Sequence, residues 1–185
     1  MQKNNIANYN VTELLRDGRQ VTIRAIRPDD KGRMVDGLQA VSRESLYRRT
    51  FSAKRELSDD DLKRLTEVDF KNNVALVAVM NDEEQDRIVG GGRYIRSGAS
   101  GSAQSAEVAF LIDDAHQGFG IGSRIFKHLV TIASASGITQ FEAEVLPTNE
   151  GMLRLFTRSG LSVVSTPSRD SVHVTIALKS EEMRG

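Results

Sequence analysis

The stretch Gln117-Gly118-Phe119-Gly120-Ile121-Gly122-Ser123 places alternate glycines ahead of a strongly amphipathic run. Such glycines let successive backbone N–H groups face one concavity, and a helix starting there adds the positive end of its dipole. A nest of this kind takes phosphate oxygens. The same glycines also suit a tight strand-to-helix turn that needs them only for φ, and local chemistry leaves both readings open. The spacing restricts which phosphate loop this is. The chain has no G-x-x-x-x-G-K-[S/T], which disfavours nucleoside triphosphate hydrolysis. The glycines do not fit G-x-G-x-x-G, and the strand before them is not the first of the fold. A dinucleotide-binding Rossmann unit is therefore also disfavoured. The pattern that fits is Q/R-x-x-G-x-G/A, carried by Gln117, Gly120 and Gly122.

Other chemistries are set aside by composition. Zero Cys removes disulfides, thiolate metal sites and any enzyme–thiol intermediate. His116, His128 and His173 are irregularly spaced, so no metal is expected. Lys+Arg and Asp+Glu number 25 each, giving a formal net charge of zero. No global field then attracts nucleic acid or an anionic membrane. No apolar run reaches the roughly 20 residues that span a bilayer. The opening Met1-Gln2-Lys3-Asn4-Asn5 lacks the apolar stretch of a signal peptide. The expectation is a soluble cytoplasmic protein, a monomer or homodimer, with no nucleic-acid or membrane partner.

The elements that must position the loop follow from periodicity. A chain of 185 residues, 39% of them hydrophobic, is enough for one ordinary core. Asp17-Gly18 between Val11–Arg16 and Gln20–Ile26 predicts a hairpin whose two central residues both take positive φ. Arg27-Pro28-Asp29-Asp30 opens a helix, with the aspartates at the positive end of its dipole and Met34, Leu38 and Val41 at helical spacing. Ser58 caps a second helix bearing Leu62 and Leu65. Between them, Arg48 and Arg49 form either a phosphate site or solvated loop charges. Val74–Met80 is a buried strand and Ile88–Ile95 another, whose Gly90-Gly91-Gly92 implies a bulge or a close backbone approach. Ser97–Ser105 is a flexible connection or a cover for a substrate entrance. Glu107–Ile112 is the strand before the glycine loop. A helix from Ile121 to Ser136 follows, then a strand with Phe141, Ala143 and Val145, a helix with Met152, Leu155 and Phe156, and two last strands.

Taken together, these motifs resemble the GNAT acetyltransferase superfamily over roughly Val21 to Leu178. Ile23–Asp30, Ala75–Val79, Ile88–Gly91, Glu107–Phe110 and Asn149–Phe156 carry the likeness beside the glycine loop. Ile23–Asp30 and Ser45–Phe51 are especially similar to the acetyltransferase domain of bacterial protein-lysine acetyltransferases. The large acyl-CoA-synthetase-like or cyclic-nucleotide regions that often accompany that domain do not fit in 185 residues.

The resemblance implies an α/β (α+β) GNAT fold: a central mixed, mostly antiparallel sheet flanked by helices, preceded by a short N-terminal hairpin strand. Residues 1–20 would be that extension and 21–180 a single catalytic domain. It implies acetyl-CoA as cosubstrate, held by Gln117, Gly118, Phe119, Gly120, Ile121, Gly122 and Ser123 at its pyrophosphate. The edge at Phe110, Leu111 and Ile112 would pair with the pantetheine amides, which requires the strands ending at Ile112 and starting near Thr139 to splay. Asn149 would combine helix capping with a pantetheine contact. Arg158 would be a last-turn cation or approach a phosphate.

The acceptor is an amine, with a protein lysine implied and small amines as the alternative. A lysine amine, pKa near 10.4, must lose a proton before attacking a thioester. Glu107 reads on pattern alone as a solvent-facing rim charge; the resemblance makes it the general base. Many relatives place a tyrosine in the final helix as the acid for the leaving thiolate, where this chain has Phe156. No acid is therefore assigned. The same departure supports the rival reading of an acyl-CoA sensor with little catalysis, and a third reading makes the glycine loop purely structural.

Overall fold

The computed structural model describes residues 6–50, 56–82, 85–97 and 104–178. The polar residues 1–5, the side chains of Arg48 and Arg49, and most of the Ser97–Ser105 loop lie outside the described residues. Eight strands form one sheet: β1 (Asn10–Leu14), β2 (Gln20–Ala25), β3 (Asn73–Asp82), β4 (Gln85–Arg96), β5 (Ser105–Ile112), β6 (Gln140–Val145), β7 (Ser162–Pro167) and β8 (Val172–Ala177). Their spatial order is β1-β2-β3-β4-β5-β6-β8-β7. Every pairing is antiparallel except β5 with β6.

Among the described residues five α-helices cover it: α1 (Lys31–Gln39), α2 (Arg43–Thr50), α3 (Asp59–Thr66), α4 (Ile121–Ala135) and α5 (Glu150–Thr157). Helix α4 sends Ile121, Ile125, Leu129 and Ile132 into one face of the sheet, as its i, i+4, i+8, i+11 stripe dictates. There Phe126 meets Phe110, Phe141 and Phe156 with ring centroids 5.5–6.2 Å apart, in tilted or edge-on contacts. The opposite face, bearing Ile26, Ala75, Val77, Val79 and Ile88, packs Met34 and Val68 from the α1–α3 side.

Several local expectations are refined. The first hairpin closes with Leu15 N donating to Arg19 O at 2.8 Å, and only Gly18 has positive φ (+85°). This is a three-residue loop ending in a left-handed glycine, not a two-residue turn. Asp17 does not take positive φ and accepts from the Arg19 N–H and Nε–H instead.

Asp30 does more than sit near a helix start. Its carboxylate is fully buried and takes both terminal nitrogens of Arg24 at 2.7 Å, plus the Arg27 amide at 2.9 Å. Ser58 caps α3 as expected, accepting from Asp61 N at 3.2 Å.

The glycine triplet holds the bulge. Ala78 pairs with Gly90 and Val79 with Ile88, so Val89 is the extra residue. The close approach there comes largely from side chains. A Cβ on Gly92 would lie 2.5 Å from Phe110 Cδ1 and 2.7 Å from Ile125 Cγ2.

Candidate active site

Strands β5 and β6 run parallel and separate almost at once. Only Ser105–Gln140, Ala106–Phe141 and Glu107–Glu142 are in register, while β5 continues to Ile112 and β6 to Val145. The splay required by the sequence reading is therefore present. On its other edge β5 pairs with β4 from Ala106 to Ile112. At the two ends of that ladder Ser97 N donates to Ser105 O and Asp113 N to Val89 O. Strand alternation then turns the odd-numbered backbone groups of β5 toward β4. The amide of Val108 still meets β6 at its last pair, Glu107–Glu142, and the amides of Phe110 and Ile112 face the opening, where β6 no longer runs beside them. Of the three edge residues expected, Leu111 has its amide on the β4 side.

The opening leads to the glycine loop. Asp113 caps a short 3₁₀ turn over Asp114–His116, accepting from Ala115 N at 2.8 Å. Gly118 and Gly120 follow at φ +84° and +85°, a left-handed backbone that explains both glycines. Helix α4 starts at Ile121 with no side-chain cap. The amides from Gly118 to Ser123 donate to no acceptor among the described residues. Uncapped helix-start N–H groups in a loop of this shape form an anion cradle.

Gly122 has a second task, since a Cβ there would sit 3.0 Å from Leu155 of α5. Gln117 turns back, its Nε2 donating to Ile112 O at 3.2 Å and Asp114 Oδ1 at 3.0 Å. Phe119 carries Arg19 of the hairpin over its ring at 4.8 Å. Arg124, one residue past the cradle, donates to Gly120 O and Leu14 O and pairs with Glu13 at 3.1 Å.

Glu107 stands exposed on β5, opposite Ile95 of β4 and beside Glu142 of β6. It shares its face with Ala109 and Leu111, away from α4. It has no hydrogen-bond or ion-pair partner among the described residues. A carboxylate left free at the mouth of the splay is available to take a proton from an amine. Asn149 caps α5, its side-chain oxygen accepting from Met152 N at 3.2 Å, and its side-chain Nδ2 has no partner among the described residues. Phe156 is 1% exposed and packs edge-on to Phe126 and Phe110, at the core side of the splay.

Periodicity did not reveal the cavity under α1–α3, about 890 Å³, floored by Gly91, Arg93, Ala109 and Leu111. No grouping of His, Cys, Asp and Glu among the described residues has metal-binding geometry. Each histidine instead meets one carboxylate: His116 with Asp113, His128 with Glu13 and His173 with Glu144.

Residues 42–161 match the acetyltransferase (GNAT) family. The chain belongs to that family. It is thus a GNAT acetyltransferase, with the eight-stranded, mostly antiparallel sheet described above. It is 34% identical over 146 residues to "Acetyltransferase Pat" of Mycolicibacterium smegmatis, a match covering 79% of this chain and 42% of that protein. The chain therefore spans less than half the length of that curated GNAT relative. The solved GNAT domain of S. lividans PAT superposes with a TM-score of 0.82 at 35% identity, over 91% of this chain and 96% of that one. A solved structure of yncA, a putative acetyltransferase from Salmonella typhimurium with its cofactor acetyl-CoA, shares the fold. Its TM-score is 0.69 at 18% identity, over 87% of this chain and 95% of that one.

Proposed function

We propose that this GNAT domain transfers the acetyl group of acetyl-CoA directly to a primary amine, with a lysine side chain of a protein as the acceptor. The single observation that carries the reading is the continuity of two features. The free amides of Phe110 and Ile112 line the splay, and the free amides of Gly118–Ser123 form a cradle where β5 turns into α4. A pantetheine arm lies along the first as a missing strand would, and a diphosphate sits in the second. Among the cradle residues, Gly118–Ser123 contribute backbone and Gln117 holds the loop closed.

The thioester carbonyl then meets the β5 amides, which are oriented to stabilise the oxyanion of the tetrahedral intermediate. Glu107 takes the proton of the incoming ammonium, directly or through water. Absence of Cys removes the usual acyl-enzyme route, so the amine attacks the bound thioester itself. Thiols are far more acidic than alcohols or amines, with cysteine near 8.5, so the CoA thiolate leaves without a dedicated acid, consistent with Phe156 in the core.

Similarity to Pat supports the lysine acceptor. We take residues 21–180 as the catalytic domain in a cytoplasmic setting, with residues 1–20 as an N-terminal extension. No helix of the described residues is long and apolar enough to cross a membrane.

Glu107→Gln tests the assignment. Turnover should fall roughly 10²–10⁴-fold, the range for a lost general base. The rise in melting temperature on adding acetyl-CoA should be unchanged. Acceptor profiling by mass spectrometry with lysine peptides and small amines reads out the substrate class. Normal turnover by the variant removes Glu107 from the mechanism. Release of no thiol with any acceptor, despite acetyl-CoA binding, makes the chain a sensor.

A further inference from the structure

Arg93 lies in the cavity beneath α1–α3, on the Glu107 face of the sheet. It faces Ala109 across the β4–β5 ladder, next to the Ile95–Glu107 pair. The surrounding walls are mostly apolar, with Met34, Leu38, Val41, Leu46 and Leu65 contributed by the α1–α3 layer. Among the described residues its guanidinium has one partner: Nη2 donates to the Asn73 side-chain oxygen at 2.8 Å. Its Nε is buried with no hydrogen-bond partner among them. No carboxylate lies within ion-pair distance of it among the described residues.

Glu107, the diagonal neighbour, does not line the cavity, and the acids that do are engaged elsewhere. Asp61 pairs with Arg64 and Glu67 with Lys31, while Asp69 accepts the amides of Lys71, Asn72 and Asn73. Burial alone pushes the Arg93 pKa down, with no opposite charge to offset it. A half-buried cation with unused N–H groups in an apolar chamber is costly unless something anionic completes it.

We propose that Arg93 receives a carboxylate carried by the acceptor, so that the site selects amines bearing an acid group on an apolar body. This rests on the amine-acetylating reading above and names its substrate class. The planar guanidinium suits a two-point carboxylate contact. The carboxylate has two sources. One is an aspartate or glutamate beside the target lysine; the other is the α-carboxylate of a free amino acid.

The test uses matched acceptors. One arm pairs single-lysine peptides of leucine-rich sequence with Asp or Asn beside the lysine; the other pairs leucine with leucinamide. The intact chain should favour the acid member by about tenfold or more in kcat/KM in one arm, as a charge-assisted contact implies. The responding arm identifies the source. Arg93→Met should bring that ratio to about one while leaving the acetyl-CoA melting shift unchanged, and Arg93→Lys should keep part of the preference.

Should Arg93→Met fail to fold, Arg93→Gln takes its place. Ratios near one for the intact chain in both arms overturn the proposal, as does a preference that survives in the Met or Gln variant. If no acceptor is acetylated although acetyl-CoA still binds, the amine-acetylating reading fails by itself. The Arg93 proposal is then decided by melting shifts with the same pairs. Stabilisation by the acids alone, lost in Arg93→Met, sustains it, and equal shifts overturn it.

Discussion

Asp30 is completely buried, with two Arg24 nitrogens and the Arg27 amide on its oxygens and Arg33 at 3.3 Å. Burial alone would push its pKa up. The Arg24 hydrogen bonds, the Arg27 amide and the charges of Arg24 and Arg33 outweigh that and hold it below the ordinary carboxylate value. A lowered folded-state pKa contributes stability that is present above the unfolded value, near 3.9, and is lost as pH falls through the folded one. Asp30→Asn should therefore flatten the acid limb of the stability curve. At neutral pH it leaves Arg24 buried without its counter-charge, a loss of about 3–5 kcal/mol. Melting should drop by roughly 10 °C at this chain length. A double change, Arg24→Met with Asp30→Leu, should recover most of it. Calorimetry across pH checks all three. Nothing in the sequence pairs these residues. Arg24 reads there as the polar side of an alternating strand, because the helix layer that covers that side is a tertiary fact.

At the level of elements, periodicity carried far wherever burial follows one face of one segment. The stripe of α4, the apolar run of β3 and the Ser58 cap were all legible, since each is encoded within about ten residues. The turn after β1 and the depth of the splay were not, because loop type and strand divergence depend on what lies across the sheet. The Gly90–Gly92 triplet is the instructive middle case. A bulge was legible, but the reason for Gly92 was not: Phe110 and Ile125 already occupy the space its Cβ would need. Gly92→Ala should cost about 1–3 kcal/mol by overpacking. The strain should also reach the Phe110 amide at the splay, so kcat should fall while the acetyl-CoA melting shift is mostly kept. Unchanged kcat and stability would show that Phe110 swings aside freely.

Across the whole molecule, the first hairpin is tied to the glycine loop rather than merely appended. Glu13 takes His128 at 2.8 Å and Arg124 at 3.1 Å, while Tyr9 reaches the other His128 ring nitrogen at 2.5 Å. Arg124 in turn holds Gly120 O, at the start of α4. Glu13→Ala should lower stability by about 1.5–3 kcal/mol, the loss of a hydrogen bond made by a charged group together with its ion pair to Arg124. It should also weaken acetyl-CoA binding severalfold, measurable by titration calorimetry. Binding indistinguishable from the parent chain would mean that the hairpin braces only the fold.

The sheet is nearly two sheets: β1–β5 on one side and β6–β8–β7 on the other, joined edge to edge by three residue pairs. A cosubstrate lying along Phe110–Ile112 would supply the rungs that the backbone omits. The seam should then be the slowest place to exchange deuterium in the loaded protein and among the quickest in the empty one. The halves already share the aromatic core of Phe110, Phe126 and Phe141, so the donor would stiffen the open flank of that seam rather than create their union.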